Sequence, residues 1–312
     1  MPNATPTTLD YTGNQLTMLP PAAIDPEVTE ELWLDLNDIS VLPDKLRDLS
    51  RLKVLSIYAN QISELPGFIW QFKHLEILNL SENAITVVPD PEENLPNLRM
   101  LDLGHNQIAD LPETIGKLSG MNGFFYLSHN QLKQLPESIS NLSGLSYLNV
   151  SHNQLRELPD GIGGMSGLIE LRLFDNRLIQ LPDSIGALVN LIELHLQNNK
   201  LHELPETIGK LVRLQELNLA NNILTELPES ICLLEKLKEL DLRNNQLATL
   251  PMDIGKLKNL HFLDLRANRL KTLPESLKDL PLLEKIDLRW NRHLKCPKWT
   301  EELKDKGCTV YI

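Results

Sequence analysis

Three histidines occupy one register in this 312-residue chain: His105, His129 and His152 directly precede asparagines, in Gly104-His105-Asn106, Ser128-His129-Asn130 and Ser151-His152-Asn153. If those stretches are neighbouring rungs of a stack, the imidazoles lie close enough to share a transition metal. No cysteine, aspartate or glutamate completes a clear ligand set with them, so no metal is expected there. Gly116-Lys117, Gly209-Lys210 and Gly255-Lys256 sit in Ile-Gly-Lys-Leu segments that share a Gly-Lys pair with phosphate loops. They lack the preceding glycine spacing and the following Ser or Thr that cradle a phosphate. Gly164-Met165-Ser166-Gly167 brings its second glycine one residue too early for a nucleophile elbow. No nucleophile, base and orienting group can be assembled, so the chain reads as a non-enzyme with no cofactor.

Bulk properties exclude further classes. Thirty Lys and Arg against 42 Asp and Glu give a net charge of -12, which repels phosphate backbones and anionic lipid headgroups. Neither nucleic acid nor a membrane is an expected partner. No stretch approaches the roughly 18 apolar residues that span a bilayer. Residues 1–10 have no basic segment followed by an apolar core, so they do not read as an export signal. Three cysteines, an odd number, give no disulfide framework and favour a reducing compartment. The expected location is cytoplasmic, with unconventional export to a host cell leaving no mark in the sequence.

The elements that must position any site follow from one periodicity. Asparagine recurs at Asn14, Asn37, Asn60, Asn83, Asn106, Asn130, Asn153, Asn176, Asn199, Asn222, Asn245, Asn268 and Asn291, every step being 23 residues except one of 24. Six residues after each stands a proline, from Pro20 to Pro297. A fixed period of this length is the mark of a solenoid, whose units bury their leucines only by stacking. In Leu194-His195-Leu196 the alternation turns two leucines inward and His195 outward, as a short strand requires. Asn199 then turns the chain, its amide offering donors and an acceptor to the bend and to the adjacent unit. Pro205 suits the start of a short helical turn, and Glu206 places negative charge at that turn's positive end.

The predicted fold is an α/β solenoid: a horseshoe with a parallel concave sheet and short helical or irregular convex turns, about thirteen units in one domain spanning 1–312. The 24-residue step falls in Met121–Leu127, where Phe124-Phe125-Tyr126 reads as a bulged sixth strand. Cys296 takes a position that is leucine in nearly every other unit and is expected to be a buried thiol. Residues 1–8 are set apart as a flexible N-terminus and 292–312 as a cap, with a helix over 297–306 ended by Gly307 and a final edge strand over 308–312.

With these residues in view, 9–312 resembles the leucine-rich-repeat proteins of the Ras-suppressor or plant intracellular Ras-group type, which share the L-P-x-x-I-x-x-L segment seen at Leu204–Leu211. The tail Cys296-Pro297-Lys298-Trp299 with Gly307–Ile312 is similar to caps of bacterial members. The resemblance implies the horseshoe and a binding role. Its members include scaffolds, partners of GTPases or phosphatases, kinase appendages and bacterial effectors.

Outward strand positions carry whatever the consensus does not. In the first half Trp33, Val54, Tyr58, Ile77, Met100, Phe124, Tyr126, Tyr147 and Phe174 project from the concave face, with six of the chain's 15 aromatic residues among them. Aromatics at such positions form a hot-spot surface for a protein partner, or pack on each other and cover the sheet. Further on, Arg172 and His195 also take outward positions, and Glu170, Glu193, Glu216 and Glu239 form an acidic row. Arg243, Arg266 and Arg289 stack beside Asp241, Asp264 and Asp287. These charges form an internally compensated ladder, or select a partner of matching alternation. The expected function is a monomeric, non-enzymatic protein-interaction module of unidentified partner. The alternative is a regulator of a small GTPase, kinase or phosphatase, acting in a host cell if the source is a bacterium.

Overall fold

The computed structural model describes residues 7–20 and 24–312. They divide between two compact units, Met1–Gln154 and Leu155–Ile312. The first holds β1 (Thr8–Asp10), β2 (Glu31–Trp33), β3 (Val54–Ser56), β4 (Ile77–Asn79), β5 (Met100–Asp102), β6 (Phe124–Tyr126) and β7 (Tyr147–Asn149). The second holds β8 (Glu170–Arg172), β9 (Glu193–His195), β10 (Glu216–Asn218), β11 (Glu239–Asp241), β12 (Phe262–Asp264), β13 (Lys285–Asp287), α1 (Thr300–Asp305) and β14 (Thr309–Tyr311). Within each unit every strand pairs in parallel with its successor in the chain. Each is therefore an open parallel solenoid.

Three-residue strands are short, yet the turn after each is fixed from several directions. Asn199 Nδ2 donates to Leu173 O of the preceding repeat at 3.0 Å and to Leu196 O of its own at 3.0 Å. Its Oδ1 accepts from Leu178 N at 3.0 Å. One buried amide thus satisfies backbone groups on two rungs, and the same pattern recurs at Asn37, Asn106, Asn153, Asn222, Asn245 and Asn268. Such pairing matters because a buried backbone group left without a partner costs about 1–3 kcal/mol. The residue just before each asparagine from Asn37 onward takes a left-handed backbone, from Leu36 at φ 56° to Trp290 at φ 66°. No glycine occupies any of these twelve sites, whereas the residue before Asn14 is Gly13 at φ 69°.

On the other side of each unit the proline caps a 3-10 turn of five residues in most repeats, as Pro205 does for Glu206–Lys210, with Ile208 N–H donating to Pro205 O at 3.0 Å. The turn starts one residue later than the spacing predicts, and the proline stands just outside it. Glycines in these turns allow close stacking: a Cβ on Gly186 would lie 2.4 Å from Thr207 O, and one on Gly209 2.4 Å from Ser230 O. Leucines and isoleucines from strands and turns fill the space between, nearly all without exposed surface.

Four expectations need correction. Asn122 and Gly123 carry the extra residue of the 24-residue step, before the sixth strand and not within it: Met100, Leu101 and Asp102 pair in plain register with Phe124, Phe125 and Tyr126. Gly123 lets the chains pass, since a Cβ there would lie 2.1 Å from Arg99 O. Cys296 is half-buried, with Sγ 3.6 Å from Thr300 Oγ1. The cap helix is the shorter Thr300–Asp305, and Gly307 follows at φ 92°. Thr8, placed in the flexible segment by the sequence, opens β1 and pairs with Glu31; residues 1–6 lie outside the described ones. Among the described residues no helix is long and apolar enough to cross a membrane.

Candidate functional site

In the first unit the residues at the start and end of each strand point away from the leucine core. Phe124 is the most open of the candidates there, 45% exposed. Its ring lies 6.2 Å from Tyr126 with an 8° interplanar angle and 5.7 Å from Tyr147, while Tyr126 and Tyr147 are 5.0 Å apart. These separations are those of interacting aromatic pairs, so the three rings form one contiguous platform. Met100 and Ile77 continue the same column on β5 and β4, each half-buried. Trp33 is half-buried, with Nε1 3.4 Å from Glu31 Oε2. The Tyr58 hydroxyl bonds to Glu82, whose charge raises the phenol's pKa.

Val54 does not join this surface. It is only 9% exposed, and Ser56 on the same strand is fully covered. In the ladder Val54 stands between Glu31 and Ile77.

The second unit presents charge. Arg172 pairs with Glu170 two residues back on its own strand. Arg266 Nε lies 2.9 Å from both carboxylate oxygens of Asp264 and 3.5 Å from Asp287. Arg289 holds Asp287 through two bonds of 2.9 and 2.6 Å, and Arg243 lies 3.4 Å from Asp241. The guanidiniums are thus committed to carboxylates within the ladder. Arg289, with other contributions, keeps the wholly covered Asp287 carboxyl below its usual range against its burial, while burial raises Asp241. Burial also raises Glu216, which shares its surroundings with His195, Glu193, Glu239 and Glu170. Phe174 is half-buried.

Sequence reasoning missed two groups. Phe262, Trp290 and Tyr311 are 40, 67 and 41% exposed near the C-terminal end, with the Arg289 guanidinium 4.8 Å from the Tyr311 ring. Phe262 and Tyr311 share the strand-start and strand-end registers of Phe124 and Tyr126, and extending the same columns would have found Phe262, whereas Trp290 directly precedes Asn291, in the register of His105. The second group surrounds His195: Glu170, Glu193 and Glu216 all reach its ring, and Glu170, Glu193 and His195 bring one ligand atom each within 4.8 Å of one another.

The three histidines that precede asparagines do meet, at ring centroids 3.9 and 4.0 Å apart, but as a face-to-face stack. Lone pairs in the planes of stacked rings run side by side and do not converge on one ion. Cys232 and Cys308 are buried, and burial pushes the Cys232 thiol up to about 11 and raises that of Cys308. Neither is poised as a nucleophile, which must be a thiolate.

Known proteins agree with this architecture. A family profile described as a leucine-rich repeat region matches 92–180, and one described as a leucine rich repeat matches 50–108, 189–247 and 235–292, more than half of the chain. No curated protein matches. Among solved structures, a leucine-rich-repeat protein of Leptospira interrogans is 29% identical over 97% of this chain and 95% of its own, with a TM-score of 0.63. The ectodomain of the Arabidopsis receptor kinase HAESA, solved with a peptide hormone ligand, is 26% identical with a TM-score of 0.69, over 89% of this chain. An internalin of Listeria monocytogenes shares the fold at 22% identity and a TM-score of 0.68, over 90% of this chain and 86% of its own. The chain thus spans nearly all of the leptospiral protein and 50% of the HAESA ectodomain. With strands, turns and asparagine bonds all repeating in register, the chain belongs to the leucine-rich-repeat family.

Proposed function

We propose that this chain is a non-enzymatic recognition module that binds a protein partner on the open face of its sheet, with Phe124, Tyr126 and Tyr147 as the anchor. One observation carries the reading: three aromatic rings within about 6 Å of each other stand on adjacent strands whose backbones are held by the asparagine ladder. Rigid aromatics lose little entropy on binding and dominate interface energetics. Relatives solved with peptide ligands lend support, since those structures show the fold receiving protein segments. Met100 borders the anchor on β5, Ile77 follows on β4, and Tyr58 and Trp33 lie further along the same face of this unit.

A second reading, carried by the Ras-group resemblance, makes that partner a small GTPase, kinase or phosphatase. The deciding experiment is affinity capture with the parent chain and with the triple variant Phe124→Ala, Tyr126→Ala, Tyr147→Ala, each checked for parental circular dichroism. Loss of specific partners, at 2 kcal/mol or more for an anchor by the usual scale of hot spots (roughly thirtyfold in Kd), is expected. Retention of every partner by a folded variant removes the aromatic face from the reading.

A further inference from the structure

In the second unit β8, β9 and β10 each begin with a glutamate, and parallel pairing sets Glu170, Glu193 and Glu216 side by side. His195 lies among them with a side chain only 12% exposed. Its Nε2 is 3.2 Å from Glu193 Oε2 and 3.9 Å from Glu170 Oε1, and its Nδ1 is 3.6 Å from Glu216 Oε1. We propose that Glu170, Glu193 and His195 bind one divalent metal ion of the zinc class, with Glu216 orienting the imidazole.

The spacing carries the argument. Zinc binds imidazole nitrogen and carboxylate oxygen at about 2.1 Å, and a tetrahedron of such bonds has edges of about 3.4 Å. The two nitrogen-to-oxygen separations, 3.2 and 3.9 Å, bracket that edge. The third edge, between the two carboxylate oxygens, is within 4.8 Å, so small side-chain rotations bring three ligand atoms onto one ion, on strands whose turns are locked by Asn176, Asn199 and Asn222. Metal-bound histidines present their other ring nitrogen to a carboxylate, which fixes the tautomer and the ring's angle. Glu216 stands in that place.

Charge favours the same occupant. Three carboxylates and an imidazole gather beside the guanidinium of Arg172, which holds Glu170 Oε1 and would move to the second oxygen of that carboxylate when the first turns to the ion. Gln197 is the next outward position of the repeat after His195. Its Oε1 is a buried acceptor with no hydrogen-bond partner. An imidazole ligand selects against calcium and magnesium, which take oxygen donors. The stacked histidines of the first unit lack this convergence.

Zn²⁺ alone is the probe. Calorimetric titration of the full chain should show one site per chain, and the thermal midpoint should rise with Zn²⁺ and stay unchanged with Ca²⁺. His195→Ala and Glu193→Gln should each weaken binding by tenfold or more, while Glu216→Gln should weaken it less and His129→Ala should leave it unchanged. Co²⁺ in place of zinc should give the visible absorption of a four-coordinate site, which His195→Ala abolishes. Melts without metal establish that each variant folds, and Glu193→Gln preserves the test if His195→Ala does not fold. Zn²⁺ binding of equal affinity in parent and Glu193→Gln, or no saturable binding, overturns the proposal. Both results are separable from the aromatic-face experiment, whose residues lie in the other unit.

Discussion

At the scale of single residues, the position that ends each strand shows how a charge and a scaffold compete. Asp102 Oδ1 accepts from Gly104 N–H at 2.8 Å, and at the same register Asn79 accepts from Ser81 and Asn149 from Ser151. The turn needs an acceptor and has no need of a charge. Burial raises the Asp102 pKa, against the lowering effects of the Gly104 bond, His105 and Ser81. A carboxyl whose folded pKa is raised binds its proton more tightly when folded, so its charge opposes folding above that pKa and the penalty fades as pH falls. Asp102→Asn is therefore expected to raise the thermal midpoint at pH 7 by about 1–2 °C, and to leave it unchanged at acid pH where Asp102 is protonated. A midpoint that rises equally at both pH values would show that charge is not the cause. Candidate residues were legible in the sequence to the extent that they share a column. Phe124, Tyr126 and Tyr147 were placed by register alone, whereas Val54 shares that register and is buried, because register fixes direction and not coverage. Convergence of Glu170, Glu193 and His195 combines two columns across adjacent rungs, which reading each column separately does not reveal.

At the scale of the element, the repeat is a strand, a left-handed residue, an asparagine and a 3-10 turn in fixed succession. The asparagine and proline spacing made these elements readable because each answers a backbone requirement: a buried amide to pair, and a fixed φ beside a short turn. The left-handed residue was not readable, since residues as different as Leu36, Ala59, Asn198 and Trp290 fill it, and the geometry comes from the turn and not from the side chain. For most L-residues that conformation costs about 1–2 kcal/mol, and asparagine bears it more easily. Leu36 sits there at φ 56° and is 56% exposed, so little burial is lost on replacing it. Leu36→Asn is expected to stabilise the chain by on the order of 1 kcal/mol, read as a higher urea midpoint. An unchanged or lower midpoint would mean that the surrounding turn already relieves the strain. The inserted Gly123 was misassigned for a related reason: the count revealed an extra residue, but only the close approach to Arg99 O shows where the chain accommodates it.

At the scale of the whole molecule, strands and turns among the described elements contact their neighbours along the chain, and the cap helix meets the last strand and the last 3-10 turn. Stability in such a stack is a sum of repeat and nearest-neighbour terms, so damage should stay near its source. Gly209 is a suitable place to test this. An added Cβ would lie 2.4 Å from Ser230 O and 2.8 Å from Ser230 Cβ, in backbone that cannot move aside without shifting the next turn. Gly209→Ala should cost about 1–3 kcal/mol, the usual range for overpacking. Hydrogen exchange followed by mass spectrometry should show the loss over the turns Glu206–Lys210 and Glu229–Leu233 and over β9–β11, while β2–β5 keep parental protection. Faster exchange throughout both units would instead mean that the stack opens as one cooperative body. The outcome bears on binding as well: if opening is local, a strained turn in the second unit leaves the Phe124, Tyr126 and Tyr147 platform intact, and partner capture by Gly209→Ala should match that of the parent chain.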